Sequence, residues 1–153
     1  MARLRLGVVL LLDGVARAEV AGLQRAVGGR PRMAPHITLV PPVNVRADRL
    51  DEALAVVRTS AAAASPLALE LGPAATFWPD TPVVYLAVGG DVDGLDRLRR
   101  TVGAGPLDRP VDRPFVPHVT LAEDLSPDMI EAAVTALGGY RASLLAERVH
   151  VLE

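Results

Sequence analysis

The sequence predicts a mixed fold of strands and helices built as two similar halves. Three observations carry this. A five-residue pattern, Pro-His-apolar-Thr-Leu, occurs as "PHITL" at 35–39 and returns 82 residues later as "PHVTL" at 117–121. The elements around each copy follow the same order: strand, helix, His-x-Thr strand, helix, strand. The composition, 50% hydrophobic and 22% charged over 153 residues, suits one packed domain rather than a disordered chain. The repeat unit of about 80 residues is too long for a solenoid and occurs only twice. The expectation is therefore one domain over 1–153, with halves near 1–77 and 78–153. A pseudo-two-fold would make the two His-x-Thr strands face each other.

The elements follow from periodicity and punctuation. Residues 3–12, "RLRLGVVLLL", read as a strand. Ala16, Val20, Leu23 and Val27 form the apolar stripe of a helix over 15–27, which Gly28-Gly29 ends. "HITLV" is the next strand, with Pro41-Pro42 expected to stop it. A helix over 46–61 carries Ala47, Leu50, Leu54, Val57 and Ala61. "PLALEL" at 66–71 is a strand, and "ATFWPD" leads into a turn at Pro79-Asp80. The order then repeats. "PVVYLAV" at 82–88 is a strand, and Asp91 caps a helix bearing Val92, Leu95, Leu98 and Val102. A Gly/Pro/Arg loop at 103–114 precedes the strand "FVPHVTLAE". Ser126 caps a further helix with Pro127 at its first position and Ile130, Val134 and Leu137 inside. One or two strands close the chain.

Composition removes several chemistries. There is no cysteine, hence no disulfide, thiolate zinc site or cysteine nucleophile. There is no lysine either: all 16 basic residues are arginine, which excludes a lysine nucleophile, a Schiff base and a P-loop lysine. Compositional bias is the simplest origin of that absence. The net charge of −2 argues against broad binding to a nucleic-acid backbone. The N-terminal segment is a weak signal-peptide match that Asp13 interrupts, and no apolar run approaches the ~20 residues that span a bilayer. A cytoplasmic protein without membrane contact is expected.

The repeated motif places chemistry on a strand. Side chains at i and i+2 share a face, so His36 lies with Thr38 and His118 with Thr120, while Ile37, Leu39, Val119 and Leu121 point to the core. Two imidazoles and two hydroxyls brought together suit displacement at a phosphodiester. One imidazole deprotonates the attacking oxygen and the other protonates the leaving oxygen. The hydroxyls donate to the non-bridging oxygens. A lone His-x-Thr is usually structural, but two of only three histidines share this context. The third, His150, lacks it and reads as a terminal-strand residue. Two histidines fall short of the three or four ligands of a zinc site, so no metal is expected.

With "PHITL" and "PHVTL", "ATFWPDTPVVYLAV" at 75–88 and "RPFVPHVTLA" at 113–122, the sequence resembles the 2H phosphoesterase superfamily across nearly its whole length. That superfamily includes the 2′-5′ RNA ligase-like proteins and the cyclic phosphodiesterases. The resemblance implies a bilobal α+β fold with two antiparallel sheets flanking a cleft and helices outside. It implies His36 and His118 as the acid/base pair, in unassigned order, and Thr38 and Thr120 as phosphate binders, without a cofactor. The implied reaction is opening of a 2′,3′-cyclic phosphate or a related cyclic or 2′-5′ phosphodiester. The alternatives are 2′-5′ RNA ligation and a module that binds a nucleotide or phosphate without turnover.

One position departs from the pattern. Many RNA-directed members carry a basic residue three places after the second threonine, where this chain has Glu123, followed by Asp124. The acidic pair favours a small nucleotide or RNA-end phosphodiester as partner, with Arg113 or Arg5 supplying positive charge. Tyr85, Trp78 and Phe115 are further candidate contacts for a base, although Phe77 and Phe115 read first as core. A monomer is expected.

Overall fold

A computed structural model describes residues 2–110 and 113–153. The chain runs β1 (Arg3–Leu11), α1 (Gly14–Ala26), β2 (His36–Arg46), α2 (Leu50–Ala63), β3 (Leu67–Thr76), β4 (Val84–Gly90), α3 (Val92–Val102), β5 (His118–Ala122), α4 (Pro127–Ala136), β6 (Ala142–Ala146) and β7 (His150–Leu152). The expected caps are in place. The Asp91 carboxylate accepts from the Gly94 N–H at 2.9 Å, and the Ser126 hydroxyl accepts from the Met129 N–H with Pro127 in the first turn. Part of the loop read at 103–114 lies outside the described residues.

All strand pairings are antiparallel. They form a three-stranded sheet, β2-β1-β7, and a four-stranded sheet, β5-β4-β3-β6. The fold is α+β, as the resemblance implied. The sheets do not divide the chain at its midpoint. β3, from the first part of the sequence, pairs with β4 and β6, and β7, at the chain's end, returns to pair with β1. Each sheet therefore contains strands distant in sequence. The helices bind them further, since α1 packs on β5 and β6 while α3 packs on β2 and α2.

The proline pair does not stop β2. Pro41 and Pro42 lie within a strand that continues to Arg46. β2 is an edge strand, so a missing N–H on its outer side costs no ladder bond. The ladder to β1 also shifts register between Leu6 and Val9, and the irregularity absorbs the prolines. Gly7 sits at that shift. A Cβ there would stand 3.4 Å from the Val40 carbonyl oxygen. The helix read from residue 46 opens instead with a 3-10 turn, Ala47–Arg49, and α2 then extends to Ala63.

Both His-x-Thr strands are sheet edges, each beside β1 or β4. Their alternation is sharp: Ile37, Leu39, Val119 and Leu121 are at most 2% exposed, whereas the His and Thr positions between them are half-buried. The buried set joins Val8, Leu71, Leu86 and Leu95 in one core. Full burial of each such side chain stabilises the fold by ~1.5–3 kcal/mol. The opposite faces of the same strands are left for the site. Among the described residues, no helix is long and apolar enough to cross a membrane.

Candidate active site

The edge strands β2 and β5 approach each other directly, although they belong to different sheets. On β5, His118 stands opposite Ala87 and Thr120 opposite Tyr85. Directly paired residues share a face, so Tyr85 lies on the same side as the motif. The Tyr85 ring stacks on Phe77 with centroids 4.2 Å apart. The His118 imidazole meets Phe77 edge-on at 5.1 Å and Tyr85 at 5.4 Å. On β2, His36 pairs with Leu11 and Thr38 with Val9. Val9 also pairs with His150 on β7, which places the half-buried third histidine on the Thr38 face of its sheet.

The two histidines are held identically. His36 Nδ1 lies 2.9 Å from the Ala34 carbonyl oxygen, and His118 Nδ1 lies 2.8 Å from that of Val116. A carbonyl can only accept, so each Nδ1 carries a hydrogen and donates it. Among the described residues neither Nε2 makes a hydrogen bond, which leaves it open to a ligand. The sequence explains the equivalence: in both copies the accepting carbonyl precedes the histidine by two residues, with a proline between (Pro35, Pro117).

A cleft of ≈ 950 Å³ opens along these strands. Thr38, His118 and Thr120 line it; His36, two residues from Thr38 on the same face, is not among the lining residues. Of the other candidates, Arg113 and Phe115 line the cleft. Tyr85 does not, but it supports His118 from the side. Trp78 is 47% exposed and outside the lining, and so is Arg5. Glu123 lines the cleft; Asp124 does not, and adopts a left-handed turn at φ 57°. Phe77, which the sequence assigned first to the core, lines the cleft beside His118.

Sequence reading missed two groups. Arg99 and Arg100, in the last turn of α3, and Arg109 line the cleft together with Arg113. Asp96 binds Arg99 at 2.7 Å and Arg100 at 3.2 Å. The hydrogen bond from Arg99 holds the Asp96 carboxyl below the usual carboxylate range. The Arg99 guanidinium lies over the Phe115 ring at 4.6 Å, and Arg109 donates to the Pro42 carbonyl at 3.1 Å. The sequence reading gave these three arginines no role, because what they face depends on packing that helical periodicity does not encode. The second group is Gln24 on α1, buried at 4% exposure, whose amide donates to the Thr120 carbonyl at 3.0 Å. A glutamine inside an otherwise apolar helix stripe was the available signal. Among the described residues, no three His, Cys, Asp or Glu side chains are grouped to hold a metal ion.

Two antiparallel sheets that each bring a His-x-Thr edge strand to one region have the architecture of a 2H phosphoesterase. The model of the 2′-5′ RNA ligase superfamily matches residues 12–153, and the chain belongs to that superfamily. Among similar proteins, each named "Putative phosphoesterase", one from Bacillus cytotoxicus is 28% identical over 124 residues, covering 80% of this chain and 72% of its own. One from Oceanobacillus iheyensis is 31% identical over 94 residues, covering 61% of this chain and 55% of its own. One from Bacillus pumilus is 33% identical over 94 residues, covering 61% and 54%. The aligned region thus spans about half the length of the last two relatives.

Proposed function

We propose that the protein is a phosphodiesterase of the 2H type that acts without a metal. Its substrate would be a 2′,3′-cyclic phosphate, or a related cyclic or 2′-5′ phosphodiester of a nucleotide or RNA end. The observation that carries the reading is the matched tethering of His36 and His118, each with Nδ1 on a carbonyl and Nε2 without a partner among the described residues, on two adjoining edge strands. In the proposed reaction a water oxygen attacks phosphorus as one Nε2 takes the water proton. The bond from phosphorus to the leaving oxygen breaks, and that oxygen receives the proton of the second Nε2–H. The pair ends with its protonation exchanged and resets through solvent. Thr38 and Thr120 donate to the non-bridging oxygens as negative charge grows there.

Incubation with 2′,3′-cyclic nucleotides and 2′-5′ dinucleotides, with and without EDTA, tests the reading. Turnover unaffected by the chelator, with a rate that falls on both sides of an optimum pH, is expected. A second reading, a nucleotide-binding module without turnover, is favoured by His36 standing outside the cleft lining. Calorimetric binding of a cyclic nucleotide that survives long incubation intact would establish that reading instead.

A further inference from the structure

Among the described residues, four arginines and three carboxylates line the cleft that runs along β5. That strand starts at His118, just after the 103–116 segment, and ends at Ala122, just before Glu123. Asp80 and Glu123 line the cleft near the strand's far end, where Val84 of β4 pairs with Ala122 and with Thr76 of β3. Arg99, Arg100, Arg109 and Arg113 also line it, and Asp108 is the remaining acidic residue of the lining among the described residues. A cleft whose described lining carries more arginines than carboxylates favours an anionic ligand.

Two of the arginines are already fixed in place. Arg99 is held between the Asp96 carboxylate and the Phe115 ring, and Arg109 is tied to the Pro42 carbonyl of β2. Asp96 neutralises only part of the charge of the pair it binds. Fixed guanidinium forks match phosphate geometry and lose little freedom on binding. Phe115 lies three residues before His118, so at full extension their Cα atoms are at most about 11 Å apart. The volume of ≈ 950 Å³ stands at the upper end of the ~300–1,000 Å³ usual for ligand sites, leaving room beyond the reacting group.

We infer that the arginine-lined part of the cleft is a second anion subsite, and that the preferred ligand carries a phosphomonoester in addition to the phosphodiester that reacts at His118. A nucleotide phosphorylated at its 5′ end as well as at the ribose 2′ or 3′ position has this chemistry. The inference rests on the phosphodiesterase reading for the reacting group, but its test does not depend on turnover.

Calorimetry with adenosine 2′-phosphate and adenosine 2′,5′-bisphosphate measures the effect of the second phosphate. The bisphosphate is expected to bind the wild type about tenfold or more tighter, the size of one additional charge-assisted contact. That gain should fall below about threefold in the Arg99→Gln/Arg109→Gln protein and persist in Arg97→Gln, which changes an exposed arginine of α3 outside the lining. Circular dichroism and thermal unfolding identify any variant that fails to fold. In that case the single Arg109→Gln protein gives the comparison. Equal affinity for the two ligands, no binding of either, or an undiminished gain in the arginine variant overturns the subsite. A gain that depends on the arginines in a wild type that turns over no cyclic phosphate keeps the subsite and rejects the proposed reaction.

Discussion

The Gln24 side-chain amide on α1 donates to the backbone carbonyl of Thr120 on β5, 3.0 Å away and separated by 96 residues of chain. β5 is an edge strand, so backbone groups on its outer side need partners from elsewhere. Gln24 supplies one at Thr120 of the second motif, and so ties the helix before the first motif to the strand of the second. Gln24→Leu keeps the volume and removes the donor. The carbonyl is then left without its partner, and a loss of about 1–3 kcal/mol is expected in urea unfolding. An unchanged midpoint would show that water replaces the amide.

Gly29 holds the same junction from the backbone side. A Cβ at this position would run into the Leu121 carbonyl and stand 2.9 Å from the Gln24 carbonyl oxygen. Both obstacles are main chain, so neither can rotate away. Gly29→Ala should cost ~1–3 kcal/mol through forced backbone movement. Thermal unfolding checks this, with Gly139→Ala, where nothing lies within 4 Å, as the comparison.

Tyr140 links the end of α4 to α1 by donating to the Glu19 carboxylate at 2.7 Å. Burial, followed by this bond and the Glu19 charge, raises the phenol from 10.0 to about 12. A raised folded value means that the contribution to stability is complete below the unfolded pKa. It is lost as pH rises from about 10 through about 12. Wild-type stability should therefore drop over that window by more than that of Tyr140→Phe. At neutral pH the variant should be about 1 kcal/mol less stable, a modest figure because the bond is solvent-exposed. Unfolding series at pH 7, 9 and 11 on both proteins make the comparison.

Phe77 fixes the His118 ring by its edge contact and by stacking on Tyr85. Phe77→Leu preserves an apolar surface and removes both ring interactions, each worth ~0.5–1.5 kcal/mol. Under the proposed function, kcat for cyclic phosphate should fall roughly three- to tenfold, with a smaller change in KM. A change confined to KM would make Phe77 a substrate contact rather than a support for the imidazole.

The sequence exposed what period and repetition can encode. The alternation in "HITL" and "HVTL" marked His36, Thr38, His118 and Thr120 as sharing faces away from a core of Ile37, Leu39, Val119 and Leu121. The Asp91 and Ser126 caps were equally readable, because a cap is set by a few adjacent residues. Features that depend on partners far along the chain were not readable. Nothing local tells β3 to pair with β4 or β7 to return to β1. Pro41-Pro42 looked like a stop because the edge position of β2, which makes them tolerable, is a property of the sheet. Arg99 and Arg109 were not singled out because their facing is set by Phe115 and Pro42. Phe77 looked like core until the turn at 77–81 placed it beside His118.

The acid/base role of the tethered histidines is tested most directly by His36→Ala and His118→Ala, assayed on a 2′,3′-cyclic nucleotide that the wild type hydrolyses. Loss of turnover by ~10²–10⁴-fold in each variant, with the wild-type circular dichroism spectrum retained, is the predicted result. Full activity in either folded variant would contradict it.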